Sequence, residues 1–438
     1  MSHGHSAAIE PSLEAPNTRL APAGLKTRRL ALAAGVVGIG ATVLLGGSHG
    51  GEHGVFLAKS WLQVFLLLLA VSLGSLFFVI IQHLTRAGWS VTVRRPAELL
   101  ASNLTWIWVL FLPFVAMAAT GRLGVLFPWA DLEHLRAHNP GEYDLVVKKI
   151  AFLNQPFFWA RASVYFLVWA LLARFFLKGS LEVGDTGSQK AEDRMAKWSG
   201  PAAILFGLTT TFASFDWIMS LSPGWFSTMF GVYFFAASVT AGFSALILCC
   251  VLLQRAGRLQ GLVTAEHYQD LGKLLFGFGI VFWAYIGFSQ YMLIWYANIP
   301  EETGWFLVRQ IGGWAVLSFA LLFGHFVIPF VGLISRWPKR FPSILALGAV
   351  WMLVFAWIDF FWLVMPVIPA DLATATDYRA FVDAHASAPT GLLNPINLTM
   401  TLGLCGIYVW ATLNRLERHP LLCRRDPWLQ NSIAFENM

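Results

Sequence analysis

The sequence predicts an all-α polytopic membrane protein of about ten transmembrane helices. These form two parallel-related four-helix bundles, helices 2–5 and 6–9, with helices 1 and 10 flanking them. Three observations predict this. Of 438 residues, 57% are hydrophobic and only 12% are charged, whereas about a quarter of a soluble domain is charged. The apolar residues gather into ten runs of roughly 20 residues, the length that spans a bilayer core of about 30 Å. A pattern in the fifth run returns in the ninth.

The ten runs are 29–46, 57–83, 99–119, 156–178, 201–221, 225–253, 273–297, 305–334, 342–367 and 392–414. The first is rich in Gly and Ala, a composition suited to close helix packing. It reads as an uncleaved helix, because a long arm precedes it and no clear cleavage site follows. The expected organisation is an arm 1–28, a flanking helix and loop 29–56, a first bundle 57–223 and a second bundle 224–367. An outer loop with the tenth helix (368–414) and a tail (415–438) complete it.

Orientation follows from Lys and Arg. The arm, the tail and alternate loops hold most of them, whereas the opposite loops hold only Lys59, Arg122, Arg136, Lys148, Lys149 and Arg379. Such bias places both termini on the cytoplasmic side. The net charge of +6 therefore reads as topology rather than as a nucleic-acid surface. Four cysteines (Cys249, Cys250, Cys405, Cys423) form no CxxC or CxxCH, so the chain is expected to bind no metal, iron–sulfur cluster or c-type haem itself.

The repeat pairs FASFDWIMSLSP (Phe212–Pro223) with FAWIDFFWLVMP (Phe355–Pro366), both F-A-x-x-D-x-x-x-x-x-x-P. It places Asp216 and Asp359 at the same step. One helix earlier in each half, Phe158-x-x-Arg161 matches Phe306-x-x-Arg309. Each bundle starts on the same side, so the duplication is parallel, about an axis along the membrane normal.

Ionisable groups in hydrocarbon cost roughly 2.5–3.5 kcal/mol each and usually face a partner or a wet cavity. The rise of a helix puts Asp216, Asp359, Arg161 and Arg309 about 6–12 Å below the outer helix ends. The functional expectation is two proton-exchanging carboxylates, each tuned by its arginine. The alternative is two Arg–Asp pairs that only fix helix register. Nearer the cytoplasm, His325, His83 and Glu98 are candidates for the same proton path. His83 lies too near the surface to share a haem with His325. Trp217, Gln290, Tyr291 and Tyr296 are the candidate walls of a quinone-sized slot, with interface packing as the plainer reading.

The runs FDWIMSLSPGWFSTMFGVYFF (Phe215–Phe235), YANIPEETGWF (Tyr296–Phe306) and NSIAFEN (Asn431–Asn437) resemble the NrfD-like membrane subunits of bacterial alternative complex III. The resemblance covers nearly the whole chain and is nearer to the second of that complex's two such subunits. It implies a subunit in the bacterial cytoplasmic membrane, part of a complex that oxidises quinol. Its partners would be an iron–sulfur protein, c-type cytochromes and a second NrfD-like subunit, which hold the haem c and iron–sulfur clusters. The resemblance also makes Asp216 a proton-path position. The loop 120–155 and Glu301-Glu302 are the expected docking surface. A secondary transporter and a purely structural anchor are the competing functions.

Overall fold

The computed structural model describes residues 12–22, 24–47, 52–369, 372, 377–386 and 389–437. Parts of the arm 1–28 and of the loops within 47–56 and 368–391 thus lie outside the described residues. Among the described residues, nine helices are long and apolar enough to cross a membrane, and a bent pair supplies a tenth span. In chain order they are α1 (Leu25–Gly46), α2 (Gly54–Leu84), α3 (Gly88–Thr105 and Ile107–Ala119, bent by 45°), α4 (Gln155–Thr186) and α5 (Gln189–Leu221). Then come α6 (Phe230–Arg255), α7 (Ala265–Ala297), α8 (Gly312–Ile334), α9 (Pro342–Val364) and α10 (Pro395–Arg418).

Both tails meet at one end of this bundle. Leu421 N donates to Thr18 O, and Leu259 N to Asn17 O, each at 2.8 Å. We call this the terminal end and its opposite the loop end.

Several helices overrun their apolar runs toward the terminal end. α3 starts at Gly88 rather than near 99, because Arg94, Arg95 and Glu98 continue the helix while buried among partners. Ser188 caps α5 by accepting from Ala191 N, well before the expected start at 201. Between them, Gly187 closes α4 with φ 71°, a left-handed conformation glycine adopts at little cost.

The eighth span departs from expectation. Residues Pro300–Val308 form a separate short helix, and α8 begins only at Gly312, whose φ is +54°. A Cβ there would lie 2.7 Å from Ala386 O. Arg309 therefore sits in the connection before the span, not inside it.

α2 and α6 form the centre. The apolar stretch of α2 is 89% buried and that of α6 78%, against 17% for α1. A helix apolar around its whole circumference belongs inside a larger assembly of helices. The two cross at Gly74 and Gly242. A Cβ on Gly74 would lie 2.0 Å from Ser238 O, and one on Gly242 would lie 2.5 Å from the Gly74 carbonyl carbon.

Around this crossing the neighbours match in pairs: α2 packs on α3, α5 and α9, and α6 on α7, α9 and α5; α4 packs on α5 as α8 does on α9. Exchanging α2–α5 with α6–α9 leaves this pattern unchanged, as a parallel duplication requires. α1 and α10 pair outside it. Their backbones touch through glycines, since a Cβ on Gly38 would lie 2.4 Å from Gly403 N and one on Gly406 2.5 Å from Gly35 N. The glycine-rich first run thus packs as its composition suggests.

The halves are not identical. α7 and α8 each carry a π-helical stretch, Leu275–Val281 and Leu322–Val327. Such turns displace the side chains that follow and are frequent at functional sites.

Candidate functional site

In the first half, Asp216 is fully buried near the end of α5. Arg161 donates to it twice, Nε to Oδ2 at 2.8 Å and Nη2 to Oδ1 at 2.6 Å. One turn along α4, the Tyr165 hydroxyl adds a third bond to Oδ2 at 2.7 Å. Positions 161 and 165 share a helix face, so both donors reach one carboxylate. The guanidinium is also flanked by the rings of Phe152 (3.8 Å) and Phe157 (4.2 Å). This bidentate, aromatic-clamped pair fixes the register of α4 on α5.

The second half does not repeat it. Asp359 is equally buried, but its bonds come from the Tyr233 hydroxyl (2.6 Å) and Trp283 Nε1 (3.1 Å). The expected Arg309–Asp359 pair is not formed. Arg309 instead donates to the backbone oxygens of Trp305 (2.8 Å), Trp362 (3.1 Å) and Leu363 (3.1 Å). Its guanidinium lies 3.4 Å from the Trp305 ring centre. The break before Gly312 carries Arg309 past the carboxylate to the end of α9, where unpaired carbonyls attract a cation. Lys59 completes that cap on Met365 O (3.2 Å) and Pro366 O (3.5 Å).

His325 joins this second constellation through Trp283 rather than through the carboxylate. Its ring is fully buried and stacks on Trp283, centres 3.9 Å apart and planes within 10°. Both ring nitrogens lack a hydrogen-bond partner among the described residues. Tyr233, Asp359, Trp283 and His325 thus form a continuous line through α6, α9, α7 and α8. Asp359 sits among neutral donors, and no ion pair to it occurs among the described residues.

His83 and Glu98 belong to another cluster, at the terminal end. His83 Nδ1 is 3.3 Å from Glu192 Oε1, which also faces Arg94 Nη1 at 3.5 Å. Glu98 lies 3.0 Å from Arg95 Nε and 3.8 Å from Arg94 Nε. Asp426, from the C-terminal tail, pairs with Arg94. Burial raises the Asp426 pKa against the pull of Arg94. Two guanidinium groups face three carboxylates here, so one further proton, on His83 or a carboxyl, would balance the buried charge.

The expected quinone slot is not assembled. Trp217 is enclosed by the first-half rings of Phe65, Phe111, Phe166 and Trp169, at 4.8–5.8 Å. Gln290 is buried in α7, whereas Tyr296 is 85% exposed and Tyr291 accepts a bond from Gln310 Nε2 at 3.0 Å. The residues present do not gather into one quinone-binding wall.

The loop 120–155 is partly committed inward. Lys149 Nζ donates to Pro223 O at 2.8 Å, and Glu142 Oε1 accepts from Gly224 N at 3.3 Å. The pair clamps the turn that ends the repeat motif. Burial raises the pKa of Glu142 and lowers that of Lys149, each opposed by the other's charge.

Tyr165, Tyr233, Trp283, Arg94, Glu192 and Asp426 were not foreseen. Tyr165 had a signal, one helical turn from Arg161. Tyr233 and Trp283 had none, since neither lies one helical turn from a candidate residue. Among the described residues, no group of three or more His, Cys, Asp or Glu is placed to hold a metal ion. The fold and these clusters define a polytopic helical membrane protein with buried ionisable networks. No protein-family model matches the chain, and no curated protein matches it closely enough to count as a relative.

Proposed function

We propose that this chain is a membrane subunit of a quinol-oxidising, proton-linked electron-transfer complex, of the kind the NrfD-like subunits of alternative complex III belong to. In this reading it lies in the bacterial cytoplasmic membrane with both termini inside. Its partners are an iron–sulfur protein, c-type cytochromes and a second NrfD-like subunit. These partners carry the electrons, and this chain carries protons. In this reading the partners bind the quinol, since Trp217 packs in the aromatic core of the first half and Tyr296 lies on the surface.

The observation that carries the proton reading is the environment of Asp359. A buried carboxylate held by a phenol and an indole gains or loses a proton without breaking an ion pair. His325, stacked on the same indole, is a second buried proton acceptor one residue away. Asp216 is the opposite case: protonating it would strand Arg161. That contrast assigns exchange to Asp359 and leaves Asp216 structural. The charge-unbalanced cluster of His83, Arg94, Arg95, Glu98, Glu192 and Asp426 would hold a proton at the other end.

The test is gentle purification of the tagged chain from its native membrane, with an optical spectrum and mass spectrometry of what accompanies it. Co-purifying c-type haem and an iron–sulfur protein supports the reading. A colourless, solitary chain, intact in several mild detergents, contradicts it and favours a transporter.

A further inference from the structure

Along the loop-end half of α7, Tyr285, Phe288, Met292, Trp295 and Tyr296 are all exposed, Tyr285 at 62%. Their spacing in steps of three and four puts them on one helix face. The opposite face carries Trp283, Gln290 and Ile294, which are buried against the bundle. The stripe therefore points away from the rest of the chain.

Its polar content sets it apart from a surface that lipid covers. Tyr285 lies ten residues before Trp295, or about 15 Å deeper along the helix. With Trp295 and Tyr296 at the interface level that such rings favour, the Tyr285 ring sits near the middle of a hydrocarbon core of about 30 Å. Its hydroxyl is exposed and makes no hydrogen bond among the described residues. Acyl chains offer it no acceptor. At similar distances from the loop end, the outward faces of α4, α5 and α9 present Leu167, Leu208 and Val354, which carry no polar atom.

Charge gives a second mark. Just past the stripe, Asn298 turns the chain into the short helix Pro300–Val308, whose first turn holds Glu301 and Glu302. Neither carboxylate has an ion pair among the described residues.

We propose that this face of α7 docks a membrane-spanning helix of a different polypeptide. That helix offers a hydrogen-bond acceptor at mid-span, for the Tyr285 hydroxyl, and Lys or Arg just outside its loop end, for Glu301 and Glu302. Tyr, Trp, Phe and Met are the residues that protein interfaces concentrate, and polar side chains bond across helices in membranes. A second copy fits worse. Its fixed orientation in the bilayer would set the same patch against itself at equal depth, placing Glu301 and Glu302 opposite their own copies at a repulsive cost. The partner helix need not belong to a redox protein, so the inference stands apart from the electron-transfer reading.

The experiment uses the full chain in its native membrane, with a benzophenone amino acid replacing Phe288 and, as control, Leu208. Illumination at 288 should join the chain to another polypeptide. Mass spectrometry should map the join to an apolar span with a mid-span acceptor and flanking basic residues, while 208 yields lipid adducts only. Tyr285→Phe, which deletes only the hydroxyl, should lower retention of that partner about threefold. Glu301→Lys with Glu302→Lys should lower it too, and reversing the partner's basic residues to Glu should restore it. A lipid adduct alone at 288, a join to a second copy, a partner span without the acceptor, or retention unchanged in both variants overturns the proposal.

Discussion

Arg161 and Asp216 meet side-on, with Nε and Nη2 donating to different carboxylate oxygens at 2.8 and 2.6 Å and the acid fully buried. Removing one partner of such a pair leaves an uncompensated buried charge, which costs about 3–5 kcal/mol. Arg161→Leu should therefore lower Tm in detergent far more than Arg161→Leu combined with Asp216→Leu. Equal losses in the single and double variants would show that the pair is not the source of the cost.

Trp283 is the hinge of the second constellation, donating to Asp359 at 3.1 Å while stacking on His325. Trp283→Phe keeps the stacking surface and deletes the donor. Assembly should survive, and proton-coupled turnover should fall with a displaced pH profile. An unchanged pH profile would exclude Trp283 as a determinant of that carboxylate.

The crossing of α2 on α6 makes a steric prediction. Gly74→Ala brings a methyl to 2.0 Å from Ser238 O, so the helices must separate, at about 1–3 kcal/mol. Gly207→Ala meets nothing within 4 Å and should be neutral or slightly stabilising, as alanine is the better helix former. Unfolding midpoints of the two variants provide the comparison.

Glu142 gives a pH dependence. Burial raises its pKa above the ordinary 4.5, so the folded loop holds a proton that the undocked loop has lost. Docking on Gly224 then weakens as pH rises from about 4.5 through the folded-state value. Protection of the Gly224 and Trp225 amides, corrected for the intrinsic pH dependence of exchange, should fall over that range in wild type and stay flat in Glu142→Gln. The opposite slope in wild type would contradict the burial assignment.

The spans were legible because a bilayer demands long apolar runs, and each expected run overlaps a helix or the bent pair. Their terminal-end extensions were hidden. Hydropathy treats Arg94, Arg95 and Glu98 as the outside of the membrane, whereas mutual pairing lets them continue α3. The repeat located Asp216 and Asp359 in matching places, yet matching positions did not bring matching partners. Arg161 lies within a continuous helix and reaches its acid. Arg309 precedes Gly312, and the positive φ there turns it onto the carbonyls of α9 instead. Trp217 looked like a pocket wall because tryptophan suits interfaces, but it packs in an aromatic core contributed by helices distant in sequence. His83 and Glu98 were found singly. Their shared cluster depends on Glu192 and Asp426, which only the folded chain brings to them.

The most direct test is infrared difference spectroscopy of the intact complex, comparing quinol-reduced and oxidised states in wild type, Asp359→Asn and Asp216→Asn. If Asp359 exchanges the proton, a carboxyl C=O band appears in wild type, persists in Asp216→Asn and is absent in Asp359→Asn. A band lost in Asp216→Asn and kept in Asp359→Asn would contradict the assignment and return proton exchange to the first half.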